Sequence, residues 1–185
     1  MFTTKISISK KLPNVKIISP TKNKDSRGEI YTILDKKISD KILPKNLIFN
    51  HIKTTMRNKN CLVGIHSDNK TWKLFGCIKG KIFHNVSCLD KRSKKYLKSQ
   101  NFILSGKQSK FILIPPKYGN SFYCYEESVI IYCLAYTGGY NDIFNQYTHA
   151  WNDKILNIKW PCKKPHLSPR DRRGLKLDNN KPKAL

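Results

Sequence analysis

The sequence predicts an all-β domain of jelly-roll or barrel type, and three observations carry that expectation. Nine short apolar segments, at 30–33, 47–54, 61–66, 72–78, 81–89, 102–105, 110–115, 121–125 and 129–136, are rich in Ile, Val, Phe and Tyr. These residue types suit a pleated, half-buried surface. Punctuators such as Lys79-Gly80, Ser105-Gly106 and Pro115-Pro116 separate the segments. Only 35–43, just ahead of Pro44, has the pattern of a short helix. Strands this short and closely spaced return as antiparallel neighbours and not through helical crossovers.

Taken in order, Ile78-Lys79-Gly80-Lys81 lies between two apolar runs and reads as a tight hairpin. The segment 129–136 is apolar on both faces, as in a strand covered on each side. Residues 137–160 read as loop, with Gly138-Gly139 and an aromatic cluster of Tyr147, Trp151 and Trp160. From Lys163 the chain is Pro-rich and basic, and its end beyond Gly174 is expected to fray. One domain over 1–174 and a basic C-terminal tail over 175–185 follow from this pattern.

At 185 residues, with 39% hydrophobic and 11% aromatic side chains, the chain can bury one sizeable core. Its 36 Lys and Arg against 12 Asp and Glu give a formal charge of +24, which would suit nucleic acid or an anionic membrane. The make-up of that charge argues otherwise. Thirty of the basic residues are Lys and six are Arg, while Ile numbers 21, Asn 16 and Ala three. An A/T-rich coding bias produces all these skews together, and specific nucleic-acid readers lean on Arg. No stretch approaches the ~20 apolar residues that span a bilayer, and the N-terminus lacks a continuous apolar run. The six cysteines form no CxxC pair, and five lie in apolar runs, as reduced cysteines do. Expected, then, is a cytoplasmic protein with neither a membrane nor a nucleic-acid partner.

Single residues carry weak signals. Alternation along 61–66 places His66 on the face of Leu62 and Gly64, where a structural histidine is the plainer reading. Lys73 lies in a strand pattern beside Trp72 and Leu74, an odd place for an ammonium unless it faces a polar cavity. Tyr132 reads as a core tyrosine, and Asp171 as a solvated acid among basic neighbours. His51 and Lys53 share one strand face by period 2, as on a charged edge strand. Gly-rich phosphate loops, GxSxG, HExxH and metal-ligand spacings are all missing from the sequence.

Read in order, however, these residues form a pattern. Asp25-Ser26-Arg27-Gly28, Gly64-Ile65-His66, Lys73-Leu74, Gly80-Lys81-Ile82-Phe83, Ile114-Pro115, Tyr132, Trp151-Asn152-Asp153, Ile158-Lys159-Trp160-Pro161 and Leu167-Ser168-Pro169-Arg170-Asp171 follow one another at set spacings over roughly 14–172. The chain resembles the dTDP-4-dehydrorhamnose 3,5-epimerase family of nucleotide-sugar epimerases. That resemblance implies a cupin-type jelly-roll barrel with short peripheral helices, and a homodimer. Within the family the chain is most similar to enzymes acting on GDP-4-keto-6-deoxy-heptoses in capsule synthesis. The features concerned are His51-x-Lys53, His66 followed by Asp68, Lys70 to Leu74, Tyr118-Gly119-Asn120, and Gln146 running on to Asp153.

The resemblance also implies a chemistry. A C4 ketone acidifies the hydrogens on C3 and C5, so inversion needs a base on one face and a proton donor on the other. His66 would be the base, oriented by Asp171; Lys73 would stabilise the enolate oxygen; Tyr132 would deliver the proton. Arg27, Lys53 and Arg170 would meet the diphosphate, with His51, Asn120 and Gln146 as further polar contacts. Neither a metal nor a redox cofactor is required. The chain departs from the family pattern R-G-x-H, in which an arginine precedes the base by three residues, because Val63 stands there. An Asp-rich stretch is likewise replaced by 84–88. The readings left open are a cupin-fold protein that binds sugar nucleotides without turnover, and a basic nucleic-acid-binding protein.

Overall fold

The structure, a computed structural model, describes residues 4–177. In chain order the elements are β1 (Thr4–Ile8), β2 (Lys16–Pro20), β3 (Asn23–Asp25), β4 (Gly28–Ile30), α1 (Lys36–Ile42), β5 (Phe49–Arg57), β6 (Leu62–Ser67), β7 (Trp72–Lys79) and β8 (Lys81–Cys88). They continue as β9 (Ser99–Ser105), β10 (Phe111–Ile114), β11 (Tyr118–Cys124), β12 (Ser128–Ala135), β13 (Tyr147–His149) and α2 (Pro169–Arg172). A six-stranded antiparallel sheet, β1-β2-β10-β7-β12-β5, packs against a five-stranded one, β13-β6-β11-β8-β9; β3 and β4 pair only with each other. This is the expected jelly roll.

Side-chain alternation builds the sandwich. On β7, Phe75 and Cys77 point between the sheets, while Leu74 points out under α1. Phe75, Ile82, Val86, Leu104, Ile112, Phe122 and Ile130 close one end of the interior. Outside the six-stranded sheet, Ile38 and Ile42 of α1 pack on Ile18, Phe111, Leu113 and Cys133. Outside the five-stranded sheet, Trp151, Ile158 and Trp160 cover Leu62, Phe83 and Tyr123. Both sheets are therefore covered on both faces, which is why their strands lack a clean polar alternation. Asp35 caps α1 by accepting from the Ile38 amide, and the helix stops before Pro44, as expected. The six cysteines are free, four of them buried.

Four local expectations are corrected. The turn at Gly80 is not a hairpin, because β7 and β8 belong to different sheets and Gly80 carries the chain around a corner between them. Its φ of 82°, and the 2.4 Å from a would-be Cβ to the Glu127 carbonyl, both demand glycine. The segment 30–33 leaves strand geometry after Ile30; Tyr31 and Ile33 serve the outer cluster from irregular backbone. The loop at 137–160 contains β13, paired along β6. At the C-terminus, Leu175 hydrogen-bonds with Thr148 and Ala150, and the Leu177 amide donates to Asp153, so 175–177 are tied to the domain. The remainder of the expected tail lies outside the described residues.

Candidate active site

Between the two sheets lies a cavity of about 280 Å³. Its walls come from opposite sheets: Lys53, Arg57, Lys73, Tyr132 and Leu134 from the six-stranded sheet, Val63, His66 and Asn120 from the five-stranded one. Tyr140, Asp142, Gln146 and Arg170 border it from the later loops.

His66 reaches this cavity through a β-bulge. On β11, Phe122 faces Val63 and Asn120 faces His66, so three steps along β6 oppose two along β11. The extra residue reverses the alternation, and His66 joins Val63 on the inner face while Leu62 stays in the outer cluster. Unbroken alternation had placed His66 with Leu62. Gly64 within the bulge has a second role, because a Cβ there would stand 2.7 Å from Asp171 Oδ1. Only glycine lets the acid approach.

Asp171 comes from the one-turn helix α2, whose start is written in Ser168-Pro169-Arg170-Asp171. Ser168 caps the turn, its Oγ accepting from the Asp171 amide at 3.1 Å and donating to Asp171 Oδ2 at 2.7 Å. Asp171 Oδ1 lies 2.7 Å from His66 Nε2. Burial pushes the Asp171 carboxyl up, but hydrogen bonds from His66, Ser168 and the Gly64 amide outweigh it and hold the group below the usual carboxylate range. An ionised Asp171 thus orients the imidazole through Nε2–H and leaves Nδ1 as the basic atom.

Tyr132 stands across the cavity, its ring edge-on to Phe75 and beneath the Lys53 ammonium. Its hydroxyl makes no hydrogen bond among the described residues. Burial pushes that hydroxyl well above its ordinary range, with the Arg57 charge opposing, so it is a proton donor at neutral pH. Lys73, on the same face of β7 as Phe75, is buried with Nζ 2.6 Å from Asp68 Oδ2. Its angles fall outside hydrogen-bond geometry, so the contact is an ion pair. Asp68 is itself fixed by the Lys70 and Thr71 amides. The ammonium so odd in a strand pattern is therefore paired behind and open to the cavity in front.

The remaining sequence-derived residues divide. Lys53 pairs with Asp142, and Gln146 donates to Tyr140 and Asp142. Arg170 donates to Thr148 Oγ1 at 2.7 Å and to the Asp142 carbonyl at 3.2 Å. Asn120 Oδ1 accepts from His84 at 2.7 Å, which leaves its Nδ2 for the cavity. His51 shares the Lys53 face but lies beyond the cavity wall, 3.4 Å from the Tyr136 hydroxyl. Arg27 is not brought to the cavity within one chain. It sits in the β3–β4 turn, exposed and bound to Asp25, because that hairpin pairs with neither large sheet. Among the described residues no group of three or more His, Cys, Asp or Glu is placed to hold a metal.

Arg57, Asp68, Tyr140 and Asp142 join the site without a role legible in the sequence. Arg57 had a signal, since period 2 from His51 and Lys53 runs on through Thr55 to Arg57. Tyr140 and Asp142 had none, because loop residues follow no period.

A model of the dTDP-4-dehydrorhamnose 3,5-epimerase family matches residues 9–179. The chain belongs to that family. Its 3,5-epimerase relatives include the dTDP-4-dehydrorhamnose 3,5-epimerase of Shigella flexneri, 27% identical over an alignment of 177 residues that covers 92% of this chain and 94% of the relative. The dTDP-6-deoxy-D-glucose-3,5-epimerase of Legionella pneumophila, solved with dTDP-4-keto-L-rhamnose, superposes with a TM-score of 0.85 at 22% identity, covering 94% and 93% of the two chains. The dTDP-4-dehydrorhamnose 3,5-epimerase of Bacillus anthracis, solved with TDP and PPi, superposes at 0.84 with 21% identity, covering 95% and 100%. The two superpositions establish the shared jelly roll.

Proposed function

We propose that the protein inverts C3, C5 or both in a nucleoside-diphosphate-linked 4-keto-6-deoxy sugar, for surface polysaccharide synthesis. The observation that carries this is the pairing of opposed walls, with His66, held by Asp171 of α2, on one sheet and the uncommitted Tyr132 hydroxyl on the other. His66 Nδ1 takes the proton from C3 or C5, and the C–H electron pair moves into the C4 carbonyl to form an enolate. Lys73 stabilises the enolate oxygen, an electrostatic contribution of a few kcal/mol in comparable sites (~3). Tyr132 then protonates the carbon from the opposite face, and solvent restores both groups. The cavity lies near the low end of the roughly 300–1,000 Å³ range of small-molecule sites, so it suits the sugar, with diphosphate and base at the mouth. Lys53, Arg170, Asn120 and Gln146 are the polar contacts we assign to the substrate.

Solvent deuterium should enter C3 or C5 of a 4-keto sugar nucleotide, read by NMR. His66→Asn should abolish this exchange while thermal unfolding changes little; exchange that survives overturns the base assignment. A protein that binds without turnover would show no exchange in the wild type. A panel of GDP- and dTDP-linked 4-keto sugars separates the heptose from the hexose reading. We place the enzyme in the cytoplasm, as the cysteine pattern favours. We also assign it a homodimer, supported by the exposed Ile52 and Met56 along edge strand β5; light scattering at the monomer mass would refute this.

A further inference from the structure

We propose that Arg57 takes the substrate diphosphate, supplying from the end of β5 the guanidinium that the family pattern carries on β6 at Val63. The proposal rests on the nucleotide-sugar reading above. Strand β5 ends at Arg57 and β6 begins at Leu62, so Arg57 and Val63 flank one tight connection. Both line the cavity, one from each sheet. A guanidinium on a long flexible stem therefore serves the same end of the cavity from either position.

Arg57 is also the cation left free to do so. Lys53 is held by Asp142, Lys73 by Asp68, and Arg170 by Thr148 and the Asp142 carbonyl. Among the described residues the Arg57 guanidinium has neither a hydrogen bond nor an ion pair. Thr54 and Thr55 stand beside it on the lining, and Val63 opposite offers it no acceptor. A planar fork of five donors at an open mouth matches a phosphate in two-point contact, which a lysine cannot reproduce. Arg57 is exposed at that mouth, as a contact to a ligand that projects out of the cavity must be.

The test titrates the full-length protein with dTDP and with GDP by calorimetry, comparing wild type with R57S, R57K and R57S/V63R. Expected for R57S is a roughly 10- to 100-fold weaker affinity for the diphosphate the wild type prefers, with unfolding temperature unchanged. R57K should recover only part of the loss. Arginine returned to β6 in R57S/V63R should recover most of it. In the exchange assay the R57S defect should be larger in KM than in kcat. R57S affinities equal to wild type for both diphosphates overturn the proposal, and a loss that V63R leaves unrepaired overturns the relocation. Arg57-dependent binding without any solvent exchange sinks the epimerase reading and leaves the phosphate assignment standing. Exchange whose KM ignores R57S does the reverse.

Discussion

Gly64→Ala tests the dyad at the contact that makes it possible. The added methyl would lie 2.7 Å from Asp171 Oδ1, short of the 3.4 Å where ordinary contact begins. Ser168 and the Gly64 amide hold that carboxylate, so it cannot simply swing aside. It must retreat by about 0.7 Å, which stretches the 2.7 Å contact to His66 past the ~3.2 Å limit of a good hydrogen bond. Loss of a charge-assisted hydrogen bond costs about 1.5–3 kcal/mol, or roughly a 10- to 150-fold drop in the deuterium exchange rate. Asp171→Asn keeps the shape and removes the charge, and should cost a similar factor. Because both changes act on one contact, the double variant should be no slower than the slower single variant. Equal exchange in wild type and Gly64→Ala would refute the reasoning, and so would losses that multiply in the double variant.

Tyr132→Phe should slow product formation at least tenfold more than washout of substrate deuterium, and equal losses by NMR would count against two-face chemistry. Asp68→Asn should strand the buried Lys73 ammonium and lower stability by roughly 3–5 kcal/mol in urea titration, whereas Lys73→Met should lose catalysis with a smaller change. His84 is buried against Phe75, its Nδ1 unpartnered, and burial lowers its pKa to about 3 despite the Asn120 hydrogen bond. The unfolded chain therefore binds a proton that the folded one refuses between about pH 6.5 and 3, and stability falls as pH falls through that window. The slope is up to about 1.4 kcal/mol per pH unit. His84→Gln should remove that slope from urea titrations at pH 6 and 4.5, and an unchanged slope would exclude His84 as its source.

Much of the fold was legible because strand chemistry is local. The segments at 72–78, 81–89, 110–115 and 129–136 became β7, β8, β10 and β12 with small shifts of boundary, and Asp35 and Pro44 bracketed α1 as written. The turn at Gly80 was legible as a turn, but nothing in four residues says which sheet the next strand joins. The site was legible only as an ordered set of short blocks. His66 was assigned the wrong face, because a bulge is decided by the partner strand. Lys73 looked unpaired until Asp68, five residues before it, was seen to fold back beneath it. Arg27 was grouped with the other arginines by motif alone, and its hairpin holds it apart from the cavity.

By itself the sequence determined the strands from β5 to β12, the short capped helix and, through the ordered blocks, the family; β1, β2, β3 and β13 lie outside its apolar segments. Propensity, capping and turn chemistry act over a few residues, and a motif is a property of the chain order. Tertiary structure alone decided which residues meet. Asp171 is 105 positions from His66 and reaches it only because a capped turn lands over a glycine in a bulge. Tyr132 opposes His66 because two sheets close over a cavity that their side chains do not fill. The net charge of +24 belongs to the chain, but only the fold shows that Lys53, Lys73 and Arg170 line the cavity with protein partners of their own and Arg57 lines it without one.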